Sequence, residues 1–233
     1  MIAPLTSAEW EIVALSLRVT LVAVLCTLPI AYGLAWVLAR RPFPGRFLLD
    51  AVVHLPLVLP PVVTGYVLLL LFGKTGPVGR FLNDVFGVAI AFQWTGAALA
   101  AGVMALPLMV RAMRLSIEAV DRKLVQAART LGANRWRAFL AVTLPLSVPG
   151  ILAGAILGFA RSIGEFGATI TFVSNIPGET RTLPLAIYTG LQIPGTDIAV
   201  ARLVVIAVLL SLAALILSEW LVRRSAGSDA HVI

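Results

Sequence analysis

A few groups of residues in this sequence have types or spacings that could do chemistry. Gly73, Lys74 and Thr75 end like a phosphate-binding loop, whose backbone N–H groups cradle a nucleotide while the lysine reaches its phosphates. That loop needs a glycine five positions before Gly73, and Leu68 stands there, so the triplet reads as a turn. His54 and His231 are the only histidines, and they offer no metal-ligand spacing. A membrane hydrolase built on His54 would need a serine or cysteine brought from another segment; His54 reads instead as an interfacial residue. Cys26 is the only cysteine and lies in an apolar run, so no intramolecular disulfide forms and a packed small residue is expected. Arg161 and Glu165 stand one helical turn apart, close enough to pair. Left unpaired in a bilayer, either charge costs roughly 2.5–3.5 kcal/mol on insertion scales. No nucleophile, base or metal cluster emerges, and an enzyme is not expected.

The elements that must position these residues follow from composition. The 233 residues are 60% hydrophobic and 12% charged, with a mean hydropathy of +0.99. A soluble domain of this length does not bury that much apolar side chain. The fold class expected is all-α: a polytopic membrane protein, one domain over 1–233, with spans at 12–38, 50–72, 88–110, 146–172 and 199–221. The first apolar run follows Glu9 and Glu11 rather than a basic segment, and reads as a retained span rather than a leader. Arg18, near its start, is expected to reach outward to the interface. In the second span His54 to Pro61 contains Pro56, Pro60 and Pro61, which should prevent a regular helix. Pro107 interrupts the third. Residues 73–87 read as a polar loop, and 173–198 as a loop with a short interfacial piece at 185–191.

Charge placement orients these spans. Of the eighteen Lys and Arg, twelve fall in 40–46, 111–143 and the tail 222–233, and three in 73–87 and 173–198. Positive residues stay in the cytoplasm, so the N-terminus is expected outside and the long loop 111–145 and C-terminus inside. The net charge of +7 thus reflects topology, not nucleic acid. Within that loop Val120, Leu124, Ala127, Ala128 and Leu131 recur at helical spacing, opposite Asp121, Arg122, Lys123, Gln126 and Arg129. Gly132 follows, where a helix end favours positive φ, and a second basic piece, Asn134 to Leu140, leads to Leu144 and Pro145. This describes two short helices at the membrane surface with an apolar face open to a partner or to lipid.

The pattern Gln126, Ala127, Ala128, then Gly132, Val142, Leu144 and Pro145, resembles the EAA loop of bacterial ABC-importer permeases, the segment that docks on the ATPase subunit. It departs from that family at Gln126, where glutamate is usual, so a partner arginine would lose its ion pair. In the fourth span Gly150, Gly154 and Gly158 recur every four residues, followed by Ser162, a stripe that lets another helix approach closely. Farther on, Gly164, Glu165, Phe166 and Gly167 resemble the oxyanion permeases as a group, sulfate and thiosulfate included. The continuation Asn175, Ile176, Pro177, Gly178, Glu179, Thr180, Arg181 and the ending Ser218, Glu219, Trp220 are similar to molybdate permeases of the type I ABC importers.

That resemblance implies a type I importer permease fold, a homodimer of this subunit, two copies of a cytoplasmic ATPase carrying ATP and Mg, an extracytoplasmic molybdate-binding protein and no cofactor on this chain. Residues 162–171 would line or gate the pathway. Thr64, Gly65, Ser162 and Thr169, with Glu165, are the candidates there, because hydroxyls and backbone N–H groups guide a dianion without holding it. A sulfate-type permease is the alternative within the class. A self-contained channel or secondary transporter is the alternative outside it; no inverted repeat supports that, and it leaves 126–145 without a role.

Overall fold

The computed structural model describes residues 5–40 and 42–227, with side chains through Leu217 and at Trp220. Arg41, the side chains of Ser218, Glu219, Arg223 and Arg224, and the tail with His231 lie outside the described residues. The elements are α1 (Ser7–Arg40), α2 (Arg46–Val58), α3 (Pro61–Phe72), α4 (Pro77–Phe86), α5 (Trp94–Ala119), α6 (Arg122–Thr130), α7 (Arg135–Ala138), a π turn (Phe139–Thr143), α8 (Leu144–Ile163), α9 (Gly167–Val173), α10 (Leu183–Gly190) and α11 (Asp197–Gly227). Among the described residues every regular element is helical. Four helical runs are long and apolar enough to cross a membrane, and the bent pair α2–α3 makes a fifth if it counts as one span.

Helix α5 is the centre. It packs on α1 along one side and on α8 along the other, and Met104, Met109, Val110, Met113 and Ile117 on it are buried. Alanine and glycine in its first half (Gly96, Ala97, Ala98, Ala100, Ala101, Gly102) are buried too, and their small size brings the neighbouring helices close. An added Cβ on Gly102 would meet Thr27 Oγ1 at 2.5 Å.

Several boundaries differ from the sequence expectations. The stretch 50–72 is two helices meeting at 115°. The break falls at Leu59 and Pro60, and Pro61 opens α3 at its first turn, where a missing N–H costs nothing. Pro56 is accommodated inside α2, so the expectation that it breaks the helix is corrected. Residues 88–93 are not helical, with Phe92 at φ +63°, and α5 runs on to Ala119 through Pro107. The connecting loop therefore begins at Val120, not at 111. Residues 77–86, expected as loop, form α4, which starts at Pro77 and ends at Gly87 with φ +65°; its polar side chains hid a proline-to-glycine helix signature.

The stretch 146–172 is not one helix. It ends at Ile163 and restarts at Gly167. Upstream, α7, the π turn and α8 run on as one apolar helix from Arg135 to Ile163, so the fourth span begins before residue 146, and Pro145 lies inside the run. The Leu144 N–H bonds five residues back to Phe139 O; this wider turn, directly before Pro145, makes room for its ring. Cys26 is exposed, not packed: it borders an open groove between α1 and α5 with Thr27, Ala98 and Gly102.

Candidate functional site

Two regions gather the candidate residues. The first is the α6–α7 turn. Asp121 caps α6, accepting the Lys123 N–H at 2.8 Å, and Asn134 caps α7, accepting the Arg137 N–H at 2.8 Å. Gly132 has φ +92°. Ala133 N–H bonds Ala128 O at 3.0 Å and Gly132 N–H bonds Arg129 O at 3.1 Å, the paired closure of a Schellman ending. The turn is thus set by local chemistry, and α6 buries no side chain in this chain. Gln126 and Ala127 are exposed, Ala128 half-buried. Leu131 is 89% and Trp136 73% exposed, with Leu124 and Leu140 beside them. These large apolar groups stand out from a surface that also carries Arg122, Lys123, Arg129, Arg135 and Arg137.

This face is tied mechanically to the spans. Phe139, in the π turn, is ringed by Tyr32, Trp36 and Trp136 at centroid distances of 6.1, 6.3 and 5.9 Å. Tyr32 Oη lies 2.8 Å from Ser147 Oγ, joining α1 to α8. Arg40 donates to the carbonyls of Ile117 and Val120 at 3.0 and 3.2 Å, satisfying the C-terminus of α5. Arg114 bridges Asp50 at 3.0 Å and Glu118 at 2.9 Å. Of the remaining loop candidates, Val142 and Leu144 are half-buried and Pro145 exposed. The sequence reading missed Arg40 and the aromatic ring. The four-residue spacing of Tyr32 and Trp36 was a visible signal for the latter; nothing local signalled the former.

The second region is the seam of α3, α9 and the end of α8. An added Cβ on Gly65 would meet Ala168 O at 2.5 Å and Thr171 Cβ at 2.9 Å, and one on Gly167 would meet Pro61 Cβ at 2.7 Å. Thr64, Ser162, Glu165 and Thr169 are all buried. Ser162 Oγ donates to Ala101 O at 3.4 Å, and Glu165 accepts the Ala168 N–H at 2.8 Å. Glu165 also pairs with Arg161, so the carboxylate both neutralises the arginine and caps α9 across the break. Thr64 Oγ1 is buried with no hydrogen-bond partner. Thr64, Gly65, Ser162, Glu165 and Thr169 are thus packed against neighbouring helices rather than exposed.

Beyond the seam, residues 174–182 fold into a clasp. Ser174 holds φ +65°, a strained position for serine. Thr180 Oγ1 accepts the Ile176 N–H at 2.8 Å and donates to Ser174 O at 3.3 Å. Glu179 accepts the Trp94 N–H at 3.2 Å, and the Arg18 guanidinium lies 3.8 Å over the Trp94 ring. Arg18 is thus partnered by an aromatic face.

The glycine stripe faces α5. A Cβ on Gly150 would collide with Ser116 Cβ, one on Gly154 would lie 3.0 Å from Met113 Cε, and one on Gly158 2.6 Å from Met109 Sδ. The close approach it permits is within this chain.

With this geometry in view, comparison with known proteins is specific. The chain is 60% identical over 221 residues to the molybdenum transport system permease protein ModB of Escherichia coli K12, covering 95% of this chain and 96% of that one. The Haemophilus influenzae protein of the same name is 56% identical, covering 93% and 94%. The fold matches the crystal structure of a bacterial ABC transporter involved in import of the acidic polysaccharide alginate, with TM-score 0.73 at 20% identity over 94% of this chain and 80% of that one. Residues 28–227 match the binding-protein-dependent transport system inner membrane component family, and this multi-pass membrane protein belongs to it.

Proposed function

We propose that the chain is the membrane-spanning subunit of an ATP-driven importer that carries molybdate into the cytoplasm. The observation that carries this reading is the exposed, locally capped α6–α7 turn joined through Phe139 to α1 and α8, in a chain so close in sequence to molybdenum permeases. The turn is the docking face for a separate ATPase subunit, two copies per transporter, which binds ATP and Mg. It lies in the cytoplasm with the C-terminus, as the excess of basic residues favours, and the N-terminus lies outside. An extracytoplasmic binding protein delivers the anion. The uncovered apolar side chains of α2 and α3, among them Val58, Val62, Tyr66 and Leu70, support a second copy of this chain against lipid or protein on that side.

Closure of the ATPase dimer displaces the docked turns, and the aromatic ring passes that displacement to α1 and α8. The seam of Thr64, Gly65, Ser162, Glu165 and Thr169 acts as the gate: shut, it buries its own hydroxyls; opened, it offers them to the passing anion without a fixed counter-charge. The test is uptake of labelled molybdate into proteoliposomes holding this chain with its ATPase and binding protein. Uptake that needs ATP and both partners and resists excess sulfate supports the reading. Uptake without ATP would move the chain to the channels. A cysteine scan of 162–171 in a Cys26-free background checks the gate: thiols there should react faster during turnover, and uniform inertness would remove the gate from this seam.

A further inference from the structure

Three arginines of the docking turn face one cleft. The cleft, of about 370 Å³, lies between the end of α1 and the turn, and Arg40, Arg122, Arg129 and Arg135 line it with Gln126 and Phe139. Arg40 is engaged by the carbonyls at the end of α5. Arg122, Arg129 and Arg135 are exposed, and none of them pairs with an acid among the described residues. The neighbouring acids are already committed: Glu118 and Asp50 to Arg114, and Asp121 to its own helix cap. Like charges gathered on one cleft repel one another, and a charge run serving solubility alone would spread them apart.

We infer that this cleft receives carboxylate side chains of the docked ATPase, so that the chain supplies the cations of the contact and its partner the anions. This rests on the docking reading proposed above and deepens it. Two observations point to protein rather than lipid as the source of the carboxylates or phosphates that such a cleft would take. Gln126, Arg129 and Arg135 also line the notch between α6 and α7, with Thr130, Gly132 and Ala133, so the cleft is continuous with the contact face. The face itself bears Leu131 and Trp136, standing out beside the arginines. At Gln126 the chain carries an uncharged amide, which leaves arginines as the only charged side chains lining the cleft.

The test uses the full chain in nanodiscs and the ATPase subunit that copurifies with it. Arg122, Arg129 and Arg135 are replaced together by glutamine, and ATPase affinity is measured from low to high salt in zwitterionic and in anionic lipid. Each exposed pair lost should weaken binding about threefold, hence on the order of thirtyfold for the triple variant at low salt, with a flatter salt dependence and the same loss in both lipids. As a second measurement, R129K or R135K places an amine in the cleft, and a carbodiimide then activates a partner carboxylate, which the amine attacks to form an amide while the carbodiimide leaves as its urea. A permease–ATPase cross-link above the wild-type background, mapped to an Asp or Glu of the ATPase, supports the inference. Unchanged affinity and salt slope in the triple variant, with wild type still binding, overturns it and leaves docking intact. A loss seen only in anionic lipid overturns it in favour of headgroups. Failure of wild type to bind the ATPase at any salt overturns the docking reading itself.

Discussion

Gly132 offers the sharpest separation of backbone from charge in the docking turn. It holds φ +92°, and a Cβ placed there would meet nothing within 4 Å, so only the local backbone conformation, and no neighbouring element, resists a substitution. An alanine in this left-handed conformation costs about 1–2 kcal/mol, a factor of roughly 5–30 in the population of the closed turn. Asparagine tolerates the conformation well and aspartate nearly as well; the two have the same shape and differ only in charge. Because α6 buries no side chain, fraying the turn leaves the spans folded. Gly132→Asn should therefore bind ATPase within about threefold of wild type, and Gly132→Ala should weaken binding by up to the strain factor, about 5–30-fold. Gly132→Asp should lose more than about a hundredfold, because against the acidic partner surface inferred above it sets a like charge, at a cost of several kcal/mol. The assay is ATPase affinity for nanodisc-embedded chain, with monodispersity as the folding control. An aspartate variant that binds like the asparagine variant would refute the charge argument, and an alanine variant that binds like wild type would refute the strain argument.

Three further outcomes are expected. Gly150→Ala meets Ser116 Cβ and, at 3.1 Å, the Ala112 carbonyl, whereas Gly158→Ala meets only the Met109 side chain. Overpacking costs roughly 1–3 kcal/mol against a helix gain of about 1 kcal/mol, so thermal unfolding in detergent should show Gly150→Ala clearly destabilised and Gly158→Ala near neutral. Phe139→Ala removes the hub of the aromatic ring; the variant should still copurify with ATPase but show ATP hydrolysis less stimulated by loaded binding protein, and normal stimulation would show that the ring transmits nothing. Glu165→Gln leaves Arg161 unpaired in the span and should lower the yield of inserted protein, by up to roughly 2.5–3.5 kcal/mol of insertion energy; adding Arg161→Gln should restore most of it, as measured by protease protection in membranes.

What was legible beforehand was whatever is decided within one turn of chain. The membrane class followed from hydropathy, and the sharp turn at 132 from a glycine placed after an amphipathic stretch. The break near Pro60 and Pro61 followed from the missing N–H groups. The failures were of the same local kind where two local signals conflict. Pro107 and Pro56 were read as interruptions, although α5 and α2 absorb them. The apolar stretch 146–172 was read as continuous, although Glu165 closes one helix and caps the next.

Only tertiary structure decided which faces meet. The spacing of Gly150, Gly154 and Gly158 marks a face on α8, yet not that α5 of the same chain fills it. Nothing local could bring Arg40 to the end of α5 or Tyr32 to Ser147. The physical reason lies in the solvent. In water, burial sorts apolar from polar residues and writes the inside of a fold into its sequence. In a bilayer, lipid tails are as apolar as leucine, so the sequence determines which segments enter the membrane, while packing alone determines which side chains they find there.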